Sequence, residues 1–202
     1  MLSTLKSYRR DNCRLCKSKD LEMVFALNPT PIGDAFMRGE GDTDESQSLF
    51  PLDLFICRQC EHVQLRDVVD PKLLFGKYSF LTSNSQSLLK HFENYADTVA
   101  NRFDLSAGDL IVEIGSNDGS LLRMFRDRGF KVVGVDPAPV TKRAVDSGVN
   151  TIVEFFNSKI AERVRKDNGQ ASLVVANNVF AHIDDLIDVT SGIKYLLGPE
   201  GI

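Results

Sequence analysis

Leu110-Ile111-Val112-Glu113-Ile114-Gly115-Ser116-Asn117-Asp118-Gly119-Ser120 decides the fold of this 202-residue chain. Leu110 to Ile114 is a short apolar run and reads as a buried strand. Gly115 to Gly119 reads as a tight turn. From Ser120 onward, leucines and Phe125 recur at helical spacing until Gly129, a C-terminal cap. Strand, glycine turn and helix in that order open a nucleotide-type α/β unit. The next apolar run, Val132 to Val135, ends at Asp136, 21 residues after Gly115. An acid about that far along is placed to hold a pair of ribose hydroxyls.

The turn itself discriminates among ribose ligands. A dinucleotide site needs G-x-G-x-x-G, so that bare backbone can approach a pyrophosphate. Here the loop is G-S-N-D-G, flanked by Glu113 and Asp118, and both acids repel phosphate. S-adenosylmethionine (SAM) carries an ammonium and a sulfonium and no phosphate, so acidic walls suit it. SAM is the preferred ligand. A dinucleotide, or a nucleotide-type fold with no ligand, stays open at this point.

Working outward, Pro137 and Pro139 permit a helix start, and Thr141 to Ser147 continue it to Gly148. Thr151 to Val153 is a third strand, ending at Glu154-Phe155-Phe156. An acid and an aromatic there suit an adenine, one accepting from its amino group and the other covering its face. Asn157 or Ser158 caps a further helix. Ser172 to Ala176 is a fourth strand, followed by Asn177 and Asn178, and Asp184 to Leu197 is a last helix. Ligands bind at the carboxyl ends of strands in open parallel sheets, so Gly115, Asp136, Glu154 and Asn177 should converge. The candidate donor residues are Glu113, Gly115, Ser116, Asn117, Gly119, Asp136, Pro137, Glu154, Phe155, Asn177 and Asn178. A fifth strand is expected to start near Ile202. Without it the fourth strand is an apolar edge open to self-association, and the domain reads as cut short.

All four cysteines fall in the first 60 residues, as Cys13-Arg-Leu-Cys16 and Cys57-Arg-Gln-Cys60, with 40 residues between the pairs. Two such knuckles supply four thiolates to one tetrahedral zinc. Disulfides fit less well, because nothing points to export. A redox Cys-x-x-Cys comes once, beside a βαβ unit, rather than twice before one. Four thiolates leave no open position, so the zinc is structural. Arg14, Lys17 and Arg58 are placed to offset its charge, and His62 reads as a neighbour rather than a ligand. Between the knuckles, Asn28 to Gly33 is turn-rich, Gly39 to Ser48 is an acidic loop, and Phe50 to Ile56 is a strand.

Between the two parts, Lys77 to Ser85 is hydroxyl-rich, and Ser83, Asn84 or Ser85 can cap the helix that follows. Leu88, Phe92, Tyr95, Val99 and Phe103 give that helix one apolar face, with His91 beside it. The organisation is thus a metal module over 1–75, a linker and amphipathic helix over 76–106, and a Rossmann-like domain over 107–202. Net charge is −4, which argues against a broad nucleic-acid surface. No apolar run approaches the roughly 18 residues of a membrane span, and no secretory signal opens the chain. A cytoplasmic location is expected.

In this order, the pieces resemble the sugar C-methyltransferases that modify nucleotide-linked deoxysugars, the family of the tetronitrose C3-methyltransferase. The resemblance rests on the four-cysteine module, on Tyr78-x-Phe80-x-x-Ser83-x-Ser85, and on Glu113-Ile-Gly-Ser-Asn-Asp-Gly-Ser120. It continues through Val-Asp136-Pro137, Glu154-Phe155-Phe156 and Asn177-Asn178-Val-Phe-Ala-His182. It implies a class I SAM-dependent methyltransferase fold and a 4-keto nucleotide sugar as acceptor. The sugar loses a proton beside its ketone, and the enolate attacks the donor methyl. Tyr78 and His182 would then face the substrate as catalytic residues. Phe80 stands where the family usually has a second tyrosine. Family members are about twice as long, and the Glu-His motif of their second half is absent here. The alternatives are O- or N-methylation of a small metabolite, or a non-catalytic zinc- and SAM-binding module.

Overall fold

The computed structural model describes residues 6–33 and 48–202, in two compact units, 1–78 and 79–202. The acidic stretch 39–47 lies outside the described residues. The boundary falls after Tyr78, so the stretch read as a linker is divided and its amphipathic helix belongs to the second unit.

In the first unit, β1 (Ser7–Arg9) pairs antiparallel with β5 (Asp67–Val69). β2 (Leu21–Phe25), β3 (Leu54–Cys57) and β4 (Val63–Leu65) form an antiparallel sheet with β3 central. β3 is the later part of the strand expected from Phe50, while Phe50 itself makes a single bridge to Thr30. α1 (Pro71–Phe75) starts with proline in its first turn, and the Asp70 side chain accepts from the Lys72 amide. β1, β2, β4 and β5 are too short and too exposed to leave a period in the sequence.

The second unit opens with α2 (Gln86–Arg102), capped by Ser85 through the Leu88 amide at 3.3 Å. Four parallel strands follow, β6 (Leu110–Ile114), β7 (Lys131–Val135), β8 (Thr151–Ile152) and β9 (Leu173–Val175), in spatial order β8-β7-β6-β9. Val112, Ile114, Val133 and Val135 pack on α5 (Ser158–Asn168) and α6 (Leu186–Leu197). Ile111, Leu173 and Val175 pack on the opposite face, against α2, α3 (Ser120–Arg126) and α4 (Lys142–Asp146). Helices on both faces explain why these strands read as near-continuous apolar runs. The chain winds outward from β6 to β8, then returns to β9 beside β6. That reversal opens a crevice outside the carboxyl ends of β6 and β9.

Ile202 lies beside β9. Its amide donates to Ser172 O at 3.0 Å and its carbonyl accepts from Val174 N at 2.8 Å, one step of a parallel ladder. No strand is assigned at Ile202, where a fifth strand was expected, but these two bonds lie on the free edge of β9.

Candidate functional site

The two knuckles are built alike. In each, the amide after the second cysteine donates to the first cysteine's carbonyl: Lys17 to Cys13 at 3.0 Å and Glu61 to Cys57 at 2.8 Å. Both donors are left-handed, with φ 65° at Lys17 and 62° at Glu61. The first cysteine's amide then donates one residue further on, Cys13 to Ser18 O and Cys57 to His62 O. Buried Gln64 ties the first knuckle to β4, accepting from Arg14 N and donating to Asn12 O. The repeated turn delivers four sulfurs within 4.8 Å of one another, with Cys13–Cys60 at 3.6 Å and Cys16–Cys57 at 3.5 Å. A zinc–sulfur bond of about 2.3 Å implies tetrahedral edges of roughly 3.8 Å, so the cluster fits zinc. These separations are far beyond a disulfide bond.

The thiols compete for charge. Burial raises Cys57, but the amides of Cys60 and Gln59 and the neighbouring thiols outweigh it and bring it down to about 7. The His62 amide favours the Cys60 thiolate, yet burial and the other three sulfurs push it up to about 12. Backbone amides thus support the thiolates. The cations beside the knuckles also make bonds of their own: Arg58 pairs with Glu22, Arg14 donates to Leu65 O, and Lys17 donates to Arg14 O. His62 is not among the clustered ligands.

In the second unit the glycine turn follows β6 directly. Gly115 and Gly119 have φ of 75° and 74°, a region that L side chains enter at a cost. A Cβ on Gly115 would lie 3.0 Å from Val179, and one on Gly119 would lie 2.9 Å from Ala144. Asn117 is left-handed too, at φ 50°. Its side-chain Oδ1 accepts from the Thr82 amide and hydroxyl, and Nδ2 donates to Phe80 O. Asp118 accepts from the Ser83 amide at 2.9 Å and from the Ser120 hydroxyl at 2.6 Å. The pair Asn117-Asp118 therefore latches residues 80–83 to the loop. The hydroxyl-rich composition of 77–85 was the signal for this, though it named no partner.

Glu113 is 4% exposed, on the sheet face that carries Ile111, and its Oε2 has no hydrogen-bond partner. Burial pushes its carboxyl well above the usual range, and the charges of Asp136 and Asp118 add to this. Asp136 ends β7. Its Oδ1 accepts from Ala138 N at 2.8 Å and Oδ2 from Asn117 N at 2.9 Å. Burial raises it, against the pull of those amides. A carboxylate has about four acceptor sites, so capacity for a ribose diol remains. Asn177, just past β9, has a buried Nδ2 without a partner, and so does the Ser116 hydroxyl, which is tucked against Gly134. Pro137 leads from Asp136 into the turn at Pro139–Thr141.

Glu154 is exposed and paired with Arg163 of α5 at 3.1 Å. Phe155 is half-buried, while Asn178 is exposed at φ 54°. His182 is exposed at the end of a single 3-10 turn, Phe180–His182. Tyr78 belongs to the first unit, half-buried, with its ring edge-on to Phe75 at 6.0 Å. Tyr95, read in the sequence as part of an apolar stripe, packs half-buried against the cluster containing Ile111 and Val175. At a strand-reversal crevice, a buried acid without a partner suits a cationic group and a buried amide N–H without one suits an acceptor, and SAM brings both, an ammonium and a carboxylate.

Comparison with known proteins agrees with this construction. Residues 13–75 match a family described as "Putative zinc binding domain", and residues 87–202 match a methyltransferase-domain family. C-methyltransferase NovU of Streptomyces niveus is 39% identical over 193 residues, which is 95% of this chain and 46% of NovU. The chain therefore spans about half the length of that curated relative. Among solved structures, the plantazolicin methyltransferase BpumL in complex with SAH has a TM-score of 0.47 at 14% identity, covering 58% of this chain and 46% of its own. Coclaurine N-methyltransferase bound to N-methylheliamine and SAH has a TM-score of 0.46 at 13% identity, covering 63% and 39%. With a methyltransferase model matched through the whole Rossmann-like sheet and a four-cysteine module ahead of it, this chain belongs to the SAM-dependent methyltransferase family.

Proposed function

We propose that this chain forms the donor-binding and zinc-binding part of a C-methyltransferase acting on a nucleotide-linked 4-keto deoxysugar. The observation that carries the reading is that likeness to a C-methyltransferase runs through both units, over 95% of the chain. When bound, SAM supplies a methyl group on a positively charged sulfur.

The residues present divide the remaining work. Glu113 and Asn177 hold cationic and polar parts of the donor at the ends of β6 and β9. Asp136 holds the ribose hydroxyls with its spare acceptor sites, and Phe155 covers the adenine. Keeping the donor fixed at one crevice contributes through orientation, since reacting atoms must stand about 3–3.5 Å apart in line. His182 orients the sugar and assists movement of its proton. The base that takes the proton beside the ketone comes from the remainder of the whole protein. The four-cysteine zinc has no open position and keeps the first unit folded.

The test is to supply the whole protein with donor carrying a 13C-methyl group and a 4-keto sugar nucleotide, and to read the product by NMR. A C-methyl signal on the carbon next to the ketone is expected. Methyl bound only to oxygen or nitrogen overturns the proposal.

A further inference from the structure

Tyr95 lies on α2 one residue before Ala96, which is fully buried, and its ring packs against the cluster containing Ile111 and Val175. Glu113 and Val175 are in register across β6 and β9. Side chains alternate along a strand, so Glu113 shares the α2 face with Ile111, and Asn177 follows Val175 by two residues. Tyr95 of α2, Glu113 of β6 and Asn177 just past β9 are thus drawn toward the same face of the sheet.

Two of these groups are buried without partners and are complementary. Asn177 Nδ2 can only donate, and Glu113 Oε2 accepts. A phenol does both at once. The Tyr95 hydroxyl also responds to these neighbours. Burial raises its pKa, the Asn177 amide lowers it, and the Glu113 charge raises it. Leaving a buried amide and a buried carboxyl oxygen both unpaired is costly, and one hydroxyl between them relieves both.

We infer that Tyr95 is a positioning residue of the donor site, linking Asn177 N–H to its own oxygen and its own O–H to Glu113, so that amide and carboxyl are set for the donor's cation. This rests on the SAM reading above. The hydroxyl would stabilise the ionised Glu113 that a cationic ligand needs, and would hold the end of β9 against the end of β6. The groups facing Glu113 are Asp118 from the loop, Asp136 from β7 and Tyr95 from α2.

The experiment is isothermal titration of this chain with SAM at several pH values, for wild type, Tyr95→Phe, Glu113→Gln and the double variant. Phenylalanine keeps the ring and its packing. Tyr95→Phe is expected to weaken SAM about tenfold and to shift the pH profile of binding, with a small fall in melting temperature from the groups left unpaired and zinc content unchanged. The double variant should bind no worse than Glu113→Gln, because the hydroxyl acts through that carboxyl. If Tyr95→Phe binds like wild type at every pH, Tyr95 is core packing and the inference falls while the SAM reading stands. If wild type itself binds no SAM, the reading fails and takes the inference with it. Should Tyr95→Phe unfold, Asn177→Ala gives the second test, and unchanged affinity and pH profile there overturn the link.

Discussion

The N-terminal unit gathers four thiols within 4.8 Å, and the second unit gathers three carboxyls, Glu113, Asp118 and Asp136, around one glycine turn. The thiol cluster is regular. Both knuckles repeat the same turn, and a single divalent ion matches all four sulfurs. The carboxyl cluster is irregular, and its members are driven apart. Asp118 is 1% exposed, yet it is lowered: burial acts to raise it, and hydrogen bonds from Ser120 and Ser83 more than offset that. Glu113 is raised chiefly by burial, with the charges of Asp136 and Asp118 adding to it, and its Oε2 has no donor to offset them. Burial and partner supply together decide which acid ionises. One region is organised to be closed by a metal, the other to leave one acid waiting for a cation.

Removing the metal gives the largest expected effect on this contrast. Chelation, or Cys13→Ser, should unfold the first unit, because structural zinc in small domains contributes on the order of 10 kcal/mol. The second unit has its own core and should keep its cooperative melt. Native mass spectrometry for zinc, paired with limited proteolysis, reads both. A first unit that stays protease-resistant without zinc would remove one side of the comparison.

Glu113 and Asp118 should respond with opposite signs. A raised carboxyl means that the folded state holds an extra proton above the unfolded pKa. Glu113 therefore lowers stability as pH rises from the ordinary carboxylate range towards its folded value. Glu113→Gln should flatten that loss, raise the melting temperature at pH 8, and weaken SAM. Asp118 is lowered, so its contribution is present above the ordinary Asp pKa and lost as pH falls through the folded value. Asp118→Asn should cost about 1–3 kcal/mol at pH 7, from charge-assisted bonds to Ser83 and Ser120. Urea melts at pH 5 and pH 8 decide this, and the same sign for both variants would refute the split.

Arg163→Ala gives the smallest effect. Its pair with Glu154 is exposed on both sides, so stability should change by well under about 1 kcal/mol. If Glu154 serves the adenine, its release should leave donor affinity intact or slightly tighter. A clear loss of affinity would place Arg163 itself in the site.

Much of this was legible in one dimension because the signals are local. Cysteine spacing announces the knuckles, and apolar runs ending at Gly115, Asp136 and Asn177 announce parallel strands. Helix starts were legible where a side chain caps its own helix, as at Ser85 and Asn157. The short strands of the first unit were not, since three-residue strands with mixed exposure carry no period. Glu154 and Asn117 were legible as polar residues beside the site, but their hydrogen bonds go to Arg163 and to residues 80–82. Nothing local to either residue states that pairing.

The amino-acid sequence by itself determined the order of the parts, the metal ligands and the glycine turn, because each depends on residue type at short spacing. It also placed an acid, Asp136, directly after the second apolar run. Tertiary structure alone decided which acids are paired and which stand alone. Those outcomes depend on donors far along the chain from the acid, such as Ser83 for Asp118 and Asn117 for Asp136. Hydrogen bonding at fixed distance then sets their charge, a quantity that spacing along the chain does not encode.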